Sequence, residues 1–370
     1  MVATLDSGSD TGNSRGAITL REIRQQPDLW PTTLERVSSS NARSMVQDRA
    51  AVVCGAGTSA YAASAIAATW TNSTAIPTTD LLTLTKQELC HLAPVFVSNG
   101  VLVSVARSGE SPESVGVITR VKQMFPGALH LAITCNEQGQ LARLEGVSTL
   151  VLDPRTNDRS LVMTGSFSNL LLAGIAIARE DVLAKSLPAI ASTVKNALPE
   201  LENSARRLAA LSMSRLMVLT SAALVPLAKE VSLKVLEMTA GRTMALEETF
   251  LGVRHGPMSF LRPDSLILCV LSSNADRRRF EEDVIRELRQ KQLGHTIIVG
   301  SKSSDGDLGH DFIPAMAPDL SDDLRAPFEI VFPQLLAYHL SLAANLDPDN
   351  PSPDGVITRV VQRFQLHQRT

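Results

Sequence analysis

The sequence predicts an α/β protein built from two tandem domains, each a parallel sheet flanked by helices. Short apolar runs alternate with helical segments from about residue 50, which is typical of a parallel sheet covered by helices. The alternation starts again near residue 216. Equivalent apolar positions of the two series lie 165 residues apart, as in the pairs Val52 and Met217, Val101 and Leu266, and Leu131 and Thr296. This constant offset predicts a duplicated unit.

The elements of each copy follow from the apolar runs and the turn residues between them. We predict first-copy strands at 51–54, 101–106, 129–134 and 149–152, with helices at 60–69, 113–125, 164–185 and 188–210. Ser111 before Pro112 predicts an N-cap followed by the first helical residue. We predict second-copy strands at 216–219, 266–271 and 296–299, with helices at 226–240 and from an Asp276 cap to about 291.

An N-terminal arm precedes the first copy. Residues 1–16 are polar and without periodicity, which predicts a loosely draped tail. Thr19 and Glu22 have the spacing of a capping box, and Pro31 favours the start of a second helix to about residue 45. The predicted organisation is an arm, a first domain, a second domain and a C-terminal tail, with limits 1–47, 48–200, 201–345 and 346–370.

Composition excludes several classes of function. The chain has 370 residues, 44% of them hydrophobic and 20% charged, which is ordinary for a globular protein. Its net charge of −3 favours neither nucleic acid nor an anionic membrane as partner. No apolar run reaches the ~18 residues of a transmembrane helix, and the first residues do not resemble a signal peptide. Four cysteines without CxxC spacing indicate a reducing compartment, so we expect a cytoplasmic protein.

Two loops of the first copy predict a phosphate site. One loop lies at residues 55–59, and we call it the first loop. The second loop follows the strand at 101–106, just before a helix. It combines Gly109 with Ser108 and Ser111, and Ser104 lies near the end of the strand before it. Unpaired N–H groups and partial positive charge at a helix N-terminus attract anions. The alternative is an ordinary capped turn rich in serine.

The first loop admits a different interpretation. Gly55, Gly57 and Ala60 fit the dinucleotide-binding fingerprint, and Asp80 lies near the position of its acidic residue. Thr58 and Ser59 instead place hydroxyl groups in this loop, which favours one small phosphorylated ligand held between two loops.

The second copy has lost both glycine-bearing loops. The segments Thr220–Leu224 and Ser273–Asp276 replace them, and Asp276 is predicted to cap the helix where a phosphate would bind. We therefore expect only the first copy to bind phosphate.

Two stretches of the second copy carry ionisable groups. Glu230, Lys234 and Glu237 share one stripe of a helix, which is either a solvated face or a carboxylate base beside an ammonium. His255 lies between Arg254 and a Gly-Pro pair, where an imidazole is able to move a proton. No His and carboxylate cluster has metal-ligand spacing, so we expect no metal site.

Together, the segments CGAGTSA, SVARSGESPES, LKVLEMTAGR and FLGVRHGP resemble the sugar isomerase (SIS) family. The resemblance is to its AgaS-type branch of galactosamine-6-phosphate deaminase/isomerases, or tagatose-6-phosphate ketose/aldose isomerases, and covers the chain from about residue 17. It implies two tandem SIS domains, each a flavodoxin-like three-layer sandwich, and no cofactor. It also implies phosphate binding by the two loops, at Gly57, Thr58, Ser59, Arg107, Ser108, Gly109 and Ser111. Ala106 stands where the related isomerase domain of glucosamine-6-phosphate synthase has a phosphate-binding Ser.

The resemblance also implies the catalytic groups. Glu237 is the base, Lys234 its helix neighbour and His255 the ring-opening group. Independently of the resemblance, Arg254 and Glu248 are possible site residues. In the related synthase this His reaches in from a neighbouring subunit, so we expect a homodimer or a dimer of dimers with a shared active site. The implied reaction converts galactosamine 6-phosphate to tagatose 6-phosphate and ammonia. A glucosamine-6-phosphate deaminase, a plain ketose/aldose isomerase and a non-catalytic sugar-phosphate sensor remain alternatives.

Overall fold

The computed structural model describes residues 15–94, 100–301, 303–361 and 366–367. The first fourteen residues of the predicted tail, and parts of the predicted C-terminal tail, lie outside the described residues. The strands are β1 Ala50–Cys54, β2 Ser73–Ala75, β3 Gly100–Ala106, β4 Leu129–Thr134, β5 Ser148–Val151, β6 Arg215–Thr220, β7 Met244–Thr249, β8 Ser265–Val270, β9 His295–Gly300 and β10 Asp311–Pro314. The helices are α1 Ala17–Arg24, α2 Gln26–Ser38, α3 Ala42–Val46, α4 Thr58–Ala67, α5 Thr78–Leu81, α6 Lys86–Leu92, α7 Pro112–Met124, α8 Gly165–Ala209, α9 Val225–Met238, α10 Ala275–Gln290, α11 Asp322–Glu329 and α12 Val331–Ala343.

The strands form two five-stranded parallel sheets with the same topology. The first sheet has the order β2-β1-β3-β4-β5, and the second has the equivalent order β7-β6-β8-β9-β10. Registers match as well, because β1 pairs with β3 at Ala50 and Gly100, and β6 pairs with β8 at Arg215 and Ser265. The predicted duplication and the tandem α/β fold are confirmed, and the strand order is that of flavodoxin-like sheets.

Each sheet is covered on both faces, which gives three layers per domain. Alternate residues of a strand point to opposite faces. Val53 and Val103 therefore belong to a large inner cluster, and Val52 and Leu102 to an outer one. The inner cluster joins strands of both sheets to α8 and α12, so the two domains share a central layer of helices.

The long helix α8 connects the two domains. The sequence predicts two helices here, whereas the structure has one element with a local break at Arg179, whose φ and ψ are −127° and 31°. Pro188 and Pro199 both lie within it. The predicted domain boundary at residue 200 falls inside α8, and the domain limits stay predictions. None of the described helices is long and apolar enough to cross a membrane.

The capping predictions for the N-terminal arm are wrong. Gly16 is the N-cap of α1, and Thr19 is buried within the helix, where its hydroxyl donates to Asp349. Glu22 instead accepts from the backbone N–H of Arg159 at 2.6 Å. Pro31 lies inside α2 rather than at its start. Tertiary contacts thus use the polar groups that a capping box would need.

The predicted Asp276 cap is also wrong. The side chain of Asn274 accepts from the backbone N–H of Arg277 at 3.0 Å and caps α10. Asp276 lies in the first turn, where its charge favours the positive end of the helix. The predicted Ser111 cap of α7 is confirmed, because its hydroxyl accepts from the N–H of Ser114.

Candidate active site

The two predicted halves of the site meet where α9 packs against α4. Helix α4 begins at the first loop of domain one, and α9 belongs to domain two. The hydroxyl of Thr58 donates to Glu230 Oε1 at 3.3 Å across this contact. The fold therefore brings the predicted phosphate loop to the ionisable stripe of the other domain.

The stripe is a mostly buried cluster of charge. Lys234 Nζ lies 3.6 Å from Glu230 Oε1 and donates to Glu237 Oε2. The side chains of Glu230 and Lys234 are 0% and 1% exposed, whereas that of Glu237 is 24% exposed. The solvated-face interpretation is thus wrong for Glu230 and Lys234. Glu237 is the member of the cluster that reaches solvent.

Burial and charge set the protonation of the cluster. Burial raises the pKa of Glu230 from 4.5 to about 8, and the nearby charge of Glu237 adds to this while Lys234 opposes it. Burial by itself lowers the pKa of Lys234, but the two carboxylates outweigh it and the net shift is upward. Lys234 therefore stays an ammonium, and Glu230 holds its proton near neutral pH.

The proton on Glu230 makes the stability of the fold depend on pH. Folded Glu230 binds its proton more tightly than the unfolded chain does, so the contribution is fully present below pH 4.5 and is lost as pH rises through about 8. The slope for one such group is at most about 1.4 kcal/mol per pH unit. The raised pKa of Glu230 therefore lowers the free energy of unfolding at alkaline pH relative to acidic pH.

Glycine shapes the first loop. Gly57 has φ 55° and ψ −129°, a conformation that residues with a Cβ rarely adopt, and nothing lies within 4 Å of where a Cβ would stand. At Gly55 a Cβ would lie 2.3 Å from the carbonyl oxygen of Ser59. The loop is therefore tight against its own helix and open at Gly57. Thr58 and Ser59 are buried in the first turn of α4.

The second loop is fixed by its own hydroxyls and by a neighbour. Gly109 has φ 63°, and its carbonyl accepts from the N–H of Leu141 at 2.9 Å. Ser108 Oγ accepts from the N–H of Glu110 at 3.3 Å, and Ser111 Oγ lies 2.8 Å from Ser114 Oγ. These bonds hold Ser108, Gly109 and Ser111 together before α7.

Arg107 and Ser104 are placed differently from the other loop residues. The Arg107 guanidinium is buried and donates to the backbone carbonyls of Leu161 at 3.2 Å and Arg359 at 2.7 Å. Burial lowers its pKa. Ser104 lies within β3, and its hydroxyl faces Cys54 Sγ at 3.5 Å. Arg107 thus anchors the loop to the C-terminal segment, and its predicted contact with phosphate stays a prediction.

Three further predicted residues have no hydrogen bond or ion pair with the cluster in the described part of the chain. His255 is exposed at the end of the short 3-10 helix Gly252–His255. Arg254 pairs with Glu287 on α10 at 2.7 Å, and Glu248 Oε1 accepts from the N–H of Thr249 at 2.6 Å. Among the residues described, no hydrogen bond or ion pair joins these three side chains to Lys234 or Glu237.

Tyr61 is a further candidate site residue that sequence reasoning missed. Its pKa is raised by burial first and then by the negative charges of Glu247, Glu230 and Glu237. Tyr61 lies three residues after Thr58 on α4, and this spacing places both on one helix face. Asp80, the acidic residue of the dinucleotide alternative, is exposed on α5, beyond the end of β2 at Ala75.

No family model matches the chain, but curated relatives align with nearly all of it. The AgaS protein of Streptomyces coelicolor is 35% identical over 373 residues, which span 94% of this chain and 95% of the relative. The chain belongs to the AgaS family. Another AgaS protein, the D-galactosamine-6-phosphate deaminase AgaS of Escherichia coli, is 31% identical and covers 95% of this chain and 96% of its own length.

A solved structure agrees with this AgaS assignment. The tagatose-6-phosphate ketose/aldose isomerase from Escherichia coli superposes with a TM-score of 0.82 and 29% sequence identity, over 93% of this chain and 96% of that one. The predicted resemblance and the tandem two-domain fold are both confirmed. In the described part of this chain, no group of three or more His, Cys, Asp or Glu side chains is arranged to hold a metal ion.

Proposed function

We propose that the protein converts galactosamine 6-phosphate to tagatose 6-phosphate and ammonia, with Glu237 as the base. The observation that carries this proposal is the ion pair between partly exposed Glu237 and buried Lys234, next to the first loop of the other domain. The names of the AgaS relatives support the choice of substrate.

The chemistry is an aldose–ketose proton transfer followed by hydrolysis. Glu237 removes the proton from C2 of the open-chain amino sugar as O1 takes up a proton from water, and the enolamine then receives the Glu237 proton at C1. Water then adds to the resulting ketimine at C2, the C–N bond breaks and ammonia leaves. The ammonium of Lys234 orients Glu237 and stabilises negative charge that develops on O1.

The two loops hold the phosphate in this scheme. Thr58 and Ser59 lie at the N-terminus of α4, and Ser108 and Ser111 precede α7, so both helix ends present N–H groups to one anion. Ala106 removes one hydroxyl relative to the related synthase. The scheme requires no cofactor. The four cysteines are free, which supports a reducing, cytoplasmic location.

Ammonia release tests this function directly. The purified protein is given galactosamine 6-phosphate and glucosamine 6-phosphate in parallel, with no added cofactor. We expect ammonia from the galacto sugar. Release mainly from the gluco sugar would keep the mechanism and change the substrate. Tight binding of both sugars without ammonia would favour a plain isomerase or a sensor.

We further propose that His255 acts in the site of a partner subunit. His255 is exposed, and three apolar side chains near it or near Glu237 in the sequence are exposed as well: Leu236 at 48%, Met244 at 44% and Leu251 at 47%. Leu236 directly precedes Glu237 on α9, about 100° around the helix from it. Exposed apolar side chains of this kind favour an interface between copies of the chain.

Subunit mixing tests the shared site. Glu237→Gln and His255→Ala subunits are each inactive alone in this proposal. After unfolding and refolding together, half of the dimers are mixed, and each mixed dimer has one intact site. We therefore expect about a quarter of the wild-type activity. Each variant refolded alone serves as the control. No recovery in refolded, dimeric mixtures would place His255 and Glu237 in the same subunit's site.

A further inference from the structure

The carboxylate of Asp322 contacts a loop of the second domain, and this loop corresponds to the second phosphate loop of domain one. That loop connects β8 to α10, as the phosphate loop connects β3 to α7. Ser273 stands 165 residues after Ser108 and is its counterpart in the duplication. Asp322 itself is the first residue of α11, about fifty residues further along the chain.

Asp322 is surrounded by donors. Its Oδ1 accepts from the N–H of Ser273 at 2.8 Å, from the Ser273 hydroxyl at 3.0 Å and from Arg325 Nη1 at 3.2 Å. Its Oδ2 accepts from the Ser272 hydroxyl and from Arg277 Nη1 at 2.8 Å. We call these four donor residues, Ser272, Ser273, Arg277 and Arg325, the anion cradle.

The donors of the anion cradle are those of an oxyanion site. Two guanidinium groups, two hydroxyls and a backbone N–H before a helix N-terminus are typical partners of phosphate. Arg325 is 1% exposed, and its Nη2 has no hydrogen-bond partner within the described part of the chain. The carboxylate of Asp322 thus leaves one N–H group of a buried guanidinium that it contacts without a partner among the described residues.

The donors of the anion cradle favour a negative charge at the position of Asp322. Burial by itself raises the pKa of Asp322, but the hydrogen bonds from Ser272 and Ser273 and the charge of Arg325 hold it below its ordinary value. Asp322 is therefore an anion at neutral pH. Two further carboxyl groups face the same residues, because Glu281 accepts from the Ser272 N–H at 2.8 Å and Glu329 from Arg325 Nε at 3.2 Å.

We propose that Asp322 is a built-in substitute for a phosphate ligand, which fills the anion cradle of the second domain. The comparison with a phosphate loop in domain one rests on the proposed function, whereas the cradle rests on the contacts of Asp322. The substitution leaves one of the two copies able to take a phosphorylated substrate. It also ties α11 to the loop, and α11 packs against the turn Ala222–Leu224 that precedes α9.

Opening the cradle tests the proposal. Asp322→Ala removes the carboxylate, and we expect this variant to bind one more inorganic phosphate per chain than the wild type. Equilibrium dialysis with labelled phosphate, at ionic strength fixed with chloride, gives the stoichiometry. Phosphate at about one hundred times its Kd will raise the Tm of this variant roughly 4 °C more than that of the wild type.

Two control variants separate the cradle from a general change of charge. Asp322→Asn loses the same charge but keeps the cradle filled, so it will gain no phosphate. Asp323→Ala removes the neighbouring carboxylate, which pairs with Arg179 at 3.3 Å and does not contact the cradle. We expect wild-type stoichiometry for both. An equal gain in Asp322→Ala and either control would overturn the proposal.

The outcomes separate this inference from the proposed function. One extra phosphate in Asp322→Ala supports the cradle, whether or not the wild type binds phosphate. Absence of phosphate binding by the wild type would count against the phosphate site of domain one. No extra phosphate overturns the cradle and leaves the proposed function standing. If Asp322→Ala fails to fold in chloride, its refolding yield is compared in phosphate. Recovery in phosphate alone supports the cradle, and equal yields contradict it.

Discussion

Glu237→Gln will lower kcat for ammonia release by roughly 10³-fold, the size of a lost general base. Gln has the same shape and still accepts a hydrogen bond from Lys234, but it cannot take the proton from C2. Because the phosphate loops belong to the other domain, sugar-phosphate binding should persist. Steady-state kinetics give kcat, and calorimetric titration gives the Kd for the substrate.

Glu282→Gln is a matched control for this variant. Glu282 pairs with Arg286 on the surface of α10 at 2.8 Å, away from the cluster. We expect wild-type kcat for it. If Glu237→Gln also keeps wild-type kcat, Glu237 is not the base. If it loses kcat together with substrate binding, the loss reports damage to the site rather than a missing proton acceptor.

Lys234→Met will both destabilise the protein and lower its turnover. Methionine fills a similar volume, but it leaves the carboxylate of Glu237 without its cation, whereas Glu230 holds its proton at pH 7. Removing one partner of a buried ion pair costs at most about 3 kcal/mol of unfolding free energy here, because Glu237 is partly exposed. Loss of charge stabilisation at O1 will lower kcat by about 10²-fold. Urea unfolding at pH 7 and initial rates measure the two effects.

A second substitution separates stability from catalysis. In Lys234→Met/Glu237→Gln the carboxylate that the first change leaves without its cation is removed as well, so we expect recovery of much of the lost stability and none of the lost turnover. Lys195→Met is the control, since its pair with Asp28 is exposed and contributes at most about 1 kcal/mol. Equal instability of the single and double variants would show that charge is not the cause.

The duplicated fold was accessible from the sequence because its central strands are buried on both faces. Strands such as β3 and β8 therefore appear as continuous apolar runs at one constant spacing. The edge strands β2, β7 and β10 were missed, since their residues are mostly half-buried and mix polar with apolar side chains. Hydrogen bonding to a neighbouring strand, rather than local pattern, defines them.

Helical spacing placed Glu230, Lys234 and Glu237 on one stripe, and motifs placed serines beside the loop glycines. Spacing along a helix shows which residues share a face, but it does not show what that face meets. Packing of α9 on α4 decided that Glu230 and Lys234 are buried and that Thr58 contacts Glu230. In the same way, only the fold brings Asp322 to Ser272 and Ser273. Desolvation and contacts between distant segments depend on the tertiary structure, and these two effects set the charges on which the proposed chemistry depends.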